Sequence, residues 1–110
     1  MTDDSKALQE KINNLSMMEQ SLQQFLTQKQ TFQSQMVELD SALEELKKTE
    51  KAFKIVGNVM VASEKDELVS DLKKKKDMVE IRIKTLEKQE EKMRKKTSEL
   101  QAEVMKKMGK

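Results

Sequence analysis

The sequence has 110 residues, of which 38% are charged and 3% aromatic, with a net charge of +2. That composition allows one domain at most and argues against a compact globular core, favouring a long helix or coiled coil. The 22 basic and 20 acidic residues nearly balance, so the charge demands neither a nucleic acid nor a membrane as partner.

The first element is a helix expected over approximately residues 4–51. The opening MTDDSKALQEK is acidic and polar, unlike a signal or transit peptide. Thr2, Asp3 and Asp4 are candidate N-caps and set negative charge at the positive end of the helix dipole. From Leu8 a heptad pattern runs with Leu8, Leu15, Leu22, Lys29, Met36, Leu43 and Glu50 at a. Lys11, Met18, Phe25, Phe32, Leu39, Leu46 and Phe53 stand at d. Eleven of these fourteen are apolar, which is a strong coiled-coil pattern. Proline is absent, so no ring clash interrupts it.

The second element is the only cluster of β-branched residues, KIVGNVMVAS, from Lys54 to Ser63. Its composition predicts two short strands, Ala52–Val56 and Val59–Ser63. Gly57–Asn58 is a two-residue hairpin loop, and glycine in the first position favours a type II′ turn. The pairing puts Phe53, Ile55, Met60 and Ala62 on one face, with Lys54, Val56, Val59 and Val61 on the other. Both faces are largely apolar. A lone two-stranded hairpin is marginal in water, and its edges invite pairing with other chains. Phe53, Ile55, Val56, Gly57, Asn58, Val59, Met60 and Val61 are therefore expected to form an oligomerisation hairpin. The alternative is an apolar tip folded against its own helix ends.

The third element is a helix expected over approximately residues 64–108. Ser63 is its candidate N-cap, with Asp66 three residues on as a weaker capping box. Lys106, Lys107, Gly109 and Lys110 suit a helix C-terminus. Its seam is weaker. Lys65, Leu72, Val79, Leu86, Met93, Leu100 and Lys107 stand at d, and Val69, Lys76, Ile83, Glu90, Thr97 and Val104 at a. Eight of these thirteen are apolar.

Each helix would leave its stripe wet without a partner, and the nearest partner is the other helix. In an antiparallel pair, a positions face d positions and facing residue numbers have a constant sum. Folding between Gly57 and Asn58 makes that sum 115, and every a then meets a d: Leu22 meets Met93, Phe32 meets Ile83, Leu43 meets Leu72. Glu50 is expected opposite Lys65. Lys29 is the charged residue inside the first seam, and it is expected to lay its stem along the seam with the ammonium in water. The alternative is an ion pair with Glu90, which would cost stability and help to fix register.

The segments ALEELKK (42–48), FKIVGNVMVASEKDEL (53–68) and IKTLEKQEEKMRKK (83–96) resemble prefoldin, in particular the β class of the archaeal complex. The hairpin segment is the most specific of the three. The α class is similar but has two hairpins, and this chain has room for one. The resemblance implies a long antiparallel two-helix coiled coil joined by one β-hairpin, which assembles with other subunits into an intersubunit β-barrel. It implies a hexamer of two α-type and four β-type subunits in the cytoplasm. It further implies an ATP-independent holdase that binds unfolded polypeptides at its coiled-coil tips and delivers them to a group II chaperonin. No cofactor or metal is implied. The sequence departs from many relatives in having Phe53 where they have tyrosine.

Under that resemblance, the client-binding residues are sought where the two helices begin and end. Ile12, Met17 and Leu26 lie outside the seam in the first helix, and Met105 and Met108 in the second. Methionine is flexible and polarizable and suits a surface that accepts many partners. If the seam opens at this end, Leu8, Leu15 and Val104 join them. Without the resemblance, such scattered apolar residues would need no special explanation.

Chemistry of other kinds finds little support. Histidine, cysteine, tryptophan and tyrosine are absent, which removes the commonest general base and the best metal ligands. Cysteine-free sequence suits a reducing compartment. No phosphate-binding glycine loop and no membrane-spanning apolar run is present. The lysine run 73–76 wraps around a helix instead of forming one patch, beside Asp71, Asp77 and Glu80, and reads as a solvated face. One rival is an RNA-binding helical arm like that of seryl-tRNA synthetase, but stacking aromatics are lacking. A tethering scaffold is another. The chain is read as a non-enzyme with no nucleic-acid partner.

Overall fold

The computed structural model describes residues 2–109, with side chains from Ser5 onward. Four elements follow in order: α1 (Thr2–Lys47), β1 (Ala52–Val56), β2 (Val59–Ser63) and α2 (Lys65–Met108). They form two compact units. One comprises residues 1–29 and 85–110, and the other residues 30–84.

In each unit a stretch of α1 lies antiparallel to a stretch of α2, and the heptad positions decide what is covered. All the assigned a and d residues from Leu8 to Leu46 and from Lys65 to Val104 are buried or half-buried. Leu46 and Val79 in one unit, and Leu86 and Val104 in the other, are the most enclosed aliphatic residues of the helices. Burying a side chain of this kind contributes about 1.5–3 kcal/mol. Among the described residues none is completely buried, because two helices cover only a stripe of each other. Thr97 occupies a seam position by donating its hydroxyl to the Met93 carbonyl at 2.7 Å, so its polar atom is satisfied within its own helix. In the unit of residues 30–84, the Arg82 guanidinium lies 5.7 Å from the Phe32 ring centroid and shields the flank of that seam residue.

Three expectations need correction. First, α1 stops at Lys47, not near residue 51. Thr49 provides the reason: its Oγ1 accepts from the Lys51 amide at 3.2 Å and donates to the Lys51 carbonyl at 3.1 Å. This local turn competes with another helical turn. Glu50 is exposed in it, and Phe53 belongs to a strand. Second, Ser63 is the last residue of β2, and the first carbonyl of α2 to accept a helical bond is that of Glu64, from the Leu68 amide at 3.0 Å. Asp66 and Glu67 supply the first-turn negative charge. Third, the Lys29 ammonium turns toward Glu90 instead of extending freely into water. Its Nζ lies 3.4 Å from Glu90 Oε2, and the two side chains are 18% and 14% exposed. Glu90 Oε1 accepts from Arg94 Nε at 3.4 Å, while Oε2 is buried without a hydrogen bond. The Lys29 contact is thus a charge–charge attraction.

At the other helix ends, Lys106 and Lys107 lie in the last turn of α2, and the Gly109 amide bonds the Met105 carbonyl at 2.9 Å. The side chains of Thr2, Asp3 and Asp4, and Lys110, lie outside the described residues.

The hairpin forms as expected. Ala52 pairs with Ser63, Phe53 with Ala62, Lys54 with Val61, Ile55 with Met60 and Val56 with Val59, each pair adding to 115. Gly57 has φ +61°, the backbone region that glycine occupies without penalty and that the first position of a type II′ turn requires.

Candidate protein-binding surfaces

The hairpin is a two-stranded sheet, so each strand has one unpaired edge. Alternation along the strands places Phe53, Ile55, Met60 and Ala62 on one side and Lys54, Val56, Val59 and Val61 on the other. Every one of these residues is exposed, with Ile55 at 71% and Met60 at 67%. Ala52, at the base, is buried. Five residues per strand cannot bury two apolar faces against each other, since the strands lie side by side. The geometry offers backbone donors and acceptors along both edges and aliphatic surface above and below. Such a surface is completed by further strands and has no means of holding a small polar substrate.

A second set of apolar residues lies where α1 begins and α2 ends. Met17, Met105 and Met108 are well exposed there, and Ile12 is exposed to a lesser degree. Leu8 and Leu15 are half-buried, and Val104 is buried at 6% exposure. Leu26 is half-buried too, because it borders the seam. A salt bridge of 3.0 Å between Lys11 Nζ and Glu103 Oε1 joins the helices in this region. That hydrogen bond holds the Glu103 carboxyl below its ordinary pKa and lifts the Lys11 ammonium above its own. The seam is therefore closed here. The exposed methionines are available as they stand, whereas Leu8, Leu15 and Val104 become available only when the helices part.

The model of the prefoldin subunit family matches residues 9–110, and so takes in both surfaces. The chain belongs to the prefoldin subunit family. It is 36% identical over 100 residues to the prefoldin subunit beta of Archaeoglobus fulgidus, covering 88% of this chain and 86% of that one. It is also 36% identical over 103 residues to the prefoldin subunit beta of Methanospirillum hungatei, covering 91% and 86%. The crystal structure of the prefoldin beta subunit from Thermococcus strain KS-1 superposes with a TM-score of 0.84 at 33% identity, covering 91% of this chain and 90% of that one. Two long helices joined by one hairpin are thus a prefoldin beta fold, and the chain is a prefoldin chaperone subunit.

Other features of this prefoldin subunit carry no separate site. Lys76, the last of the four consecutive lysines, is drawn to Asp40 Oδ1 at 2.7 Å, which raises its pKa, while Lys73, Lys74 and Lys75 are exposed. Among the described residues no cluster of acidic side chains could hold a metal ion, and no helix is long and apolar enough to cross a membrane. Sequence reasoning did miss three exposed apolar residues in the unit of residues 30–84: Val37, Met78 and Ile81. All three lie outside the a and d positions. A search for apolar residues off the seam along the whole chain, instead of at its ends alone, would have found them.

Proposed function

We propose that this chain is a β-type subunit of an ATP-independent holdase. Its hairpin joins those of other subunits in a shared β-barrel, in a hexamer of two α-type and four β-type chains. The coiled-coil ends hold unfolded polypeptides and pass them to a group II chaperonin in the cytoplasm. The observation that carries this reading is the hairpin, exposed on both apolar faces and unpaired on both edges, on a chain whose helices close their own seam. The client surface is assigned to Ile12, Met17, Met105 and Met108, with Leu8, Leu15 and Val104 added when the seam frays. The conformational freedom of methionine supports a surface that adapts to many clients.

The test removes residues 1–12 and 104–110 and keeps the hairpin. Suppression of aggregation of an unfolded model protein is expected to disappear while light scattering still reports the oligomer. Unchanged suppression would refute the client assignment. A monomer in light scattering of the intact chain, both alone and mixed with an α-type subunit, would refute the assembly.

A further inference from the structure

Of the five lysines at seam positions, Lys11, Lys29 and Lys76 are each matched by a carboxylate of the opposite helix. Lys11 of α1 meets Glu103 of α2 at 3.0 Å, and Lys29 of α1 meets Glu90 of α2 at 3.4 Å. In the other unit, Lys76 of α2 meets Asp40 of α1 at 2.7 Å. Glu90 is itself a seam residue, only 14% exposed.

From these pairs we infer that the charged seam positions act as a pairing code: they direct α1 onto α2 and reject pairing of a helix with its own copy from another chain. Replacing a seam leucine with a lysine or a glutamate lowers coiled-coil stability, so these residues have a cost that needs an explanation. The nature of the alternative supplies one. In a parallel pair of two α1 helices, a meets a and d meets d, which sets Lys29 against Lys29 and Lys11 against Lys11. A parallel pair of two α2 helices sets Glu90 against Glu90 and Lys76 against Lys76. Like charges half-buried in a seam repel, which disfavours the pairing that sets them face to face. The apolar layers alone do not discriminate, because Leu22 packs as readily on a second Leu22 as on Met93. The Glu90 oxygen left without a hydrogen bond fits this role, since its contact with Lys29 selects a partner by charge more than it adds stability. The inference does not need the hairpin assembly, because any two chains in solution face the same choice.

The test uses a thiol reporter, which the chain's lack of cysteine makes clean. Leu22→Cys lies in the a layer one heptad before Lys29. A parallel α1 pair brings two such cysteines together, whereas α1 on α2 buries each against Met93. The reporter is placed in the parent, in K29L/E90L and in K29E/E90K, and each is oxidised in a glutathione buffer and run on a non-reducing gel. K29L/E90L should show a several-fold rise in disulfide-linked dimer, together with a raised melting temperature. K29E/E90K, which restores opposite charges, should stay at the parent level. A K29L/E90L variant at the parent level would overturn the inference, as would a K29E/E90K variant that rises with it. Met36→Cys as a second reporter should give the same order; a different order would also overturn it. Light scattering of the parent reports the hairpin assembly separately, so failure of one reading is not mistaken for failure of the other.

Discussion

Leu86 and Ile55 have side chains of the same size, but Leu86 is 8% exposed in the helical seam and Ile55 is 71% exposed in β1. The difference is geometric. A helix with a heptad pattern has one apolar stripe, and a second helix from the same chain covers it. A strand has two faces, and its single hairpin partner lies beside it and covers neither. The helices can therefore meet their own need for burial, whereas the hairpin passes that need on to other chains. The apolar residues of the two regions look alike in composition and have opposite consequences for stability and assembly.

The largest test of this contrast is Ile55→Lys combined with Val59→Lys, one charge on each face of the hairpin. Self-association and association with an α-type subunit should be lost in light scattering, with helical circular dichroism largely kept. Next comes a pair of truncations in that assembly-deficient background. Leu86→Ala should destabilise the helices by about 2–4 kcal/mol in urea unfolding, through lost burial and a residual cavity. Lys88→Ala, an exposed neighbour, should change stability by less than about 0.5 kcal/mol. Equal effects would break the distinction between seam and surface.

A smaller effect is expected at the turn. Gly57 has φ +61° with open space where a Cβ would stand, so Gly57→Ala adds backbone strain without a clash. It should cost about 1 kcal/mol, read as a lower assembly midpoint, and Gly57→Asn should cost less. The smallest effect is electrostatic. The lowered pKa of Glu103, caused by the hydrogen bond from Lys11, means the folded state favours the carboxylate. Its contribution is present above the unfolded value of about 4.3 and is lost as pH falls through the lower folded value. Lys11 and Lys76 are raised, so their contributions are present below about 10.4 and fade as pH rises through the folded values. Glu103→Gln should flatten the acid limb of melting temperature against pH, and added salt should shrink the difference, because these groups meet solvent.

Much of this was legible from residue spacing. The heptads from Leu8 named the covered positions, and the run from Lys54 to Ser63 gave the strands and their pairing, because a glycine marks the hairpin turn. The end of α1 was not legible. No glycine or proline marks Lys47, and the stop depends on Thr49 turning back on Lys51. Threonines further up the same helix, such as Thr27, bond the preceding turn without stopping it. Ser63 looked like a cap because its type is right, but strand pairing with Ala52 claims it. The Lys29–Glu90 contact was foreseeable as an option and not as the outcome, since reach to water and reach to a carboxylate differ by one rotamer. Of the residues proposed to hold clients, spacing located the exposed methionines but could not show that Val104 is shut in the seam.

The pairing of residue numbers to a total of 115 in the hairpin limits how such a chain can change length. Seven residues added to α1 alone would keep its stripe facing inward but leave one heptad of it with nothing opposite. An insertion that is not a whole number of heptads would rotate the stripe away. Arms of a different reach are therefore accessible only through matched heptad steps in both helices. Point substitutions are free to vary the surface, but changes of size in this architecture must come in pairs.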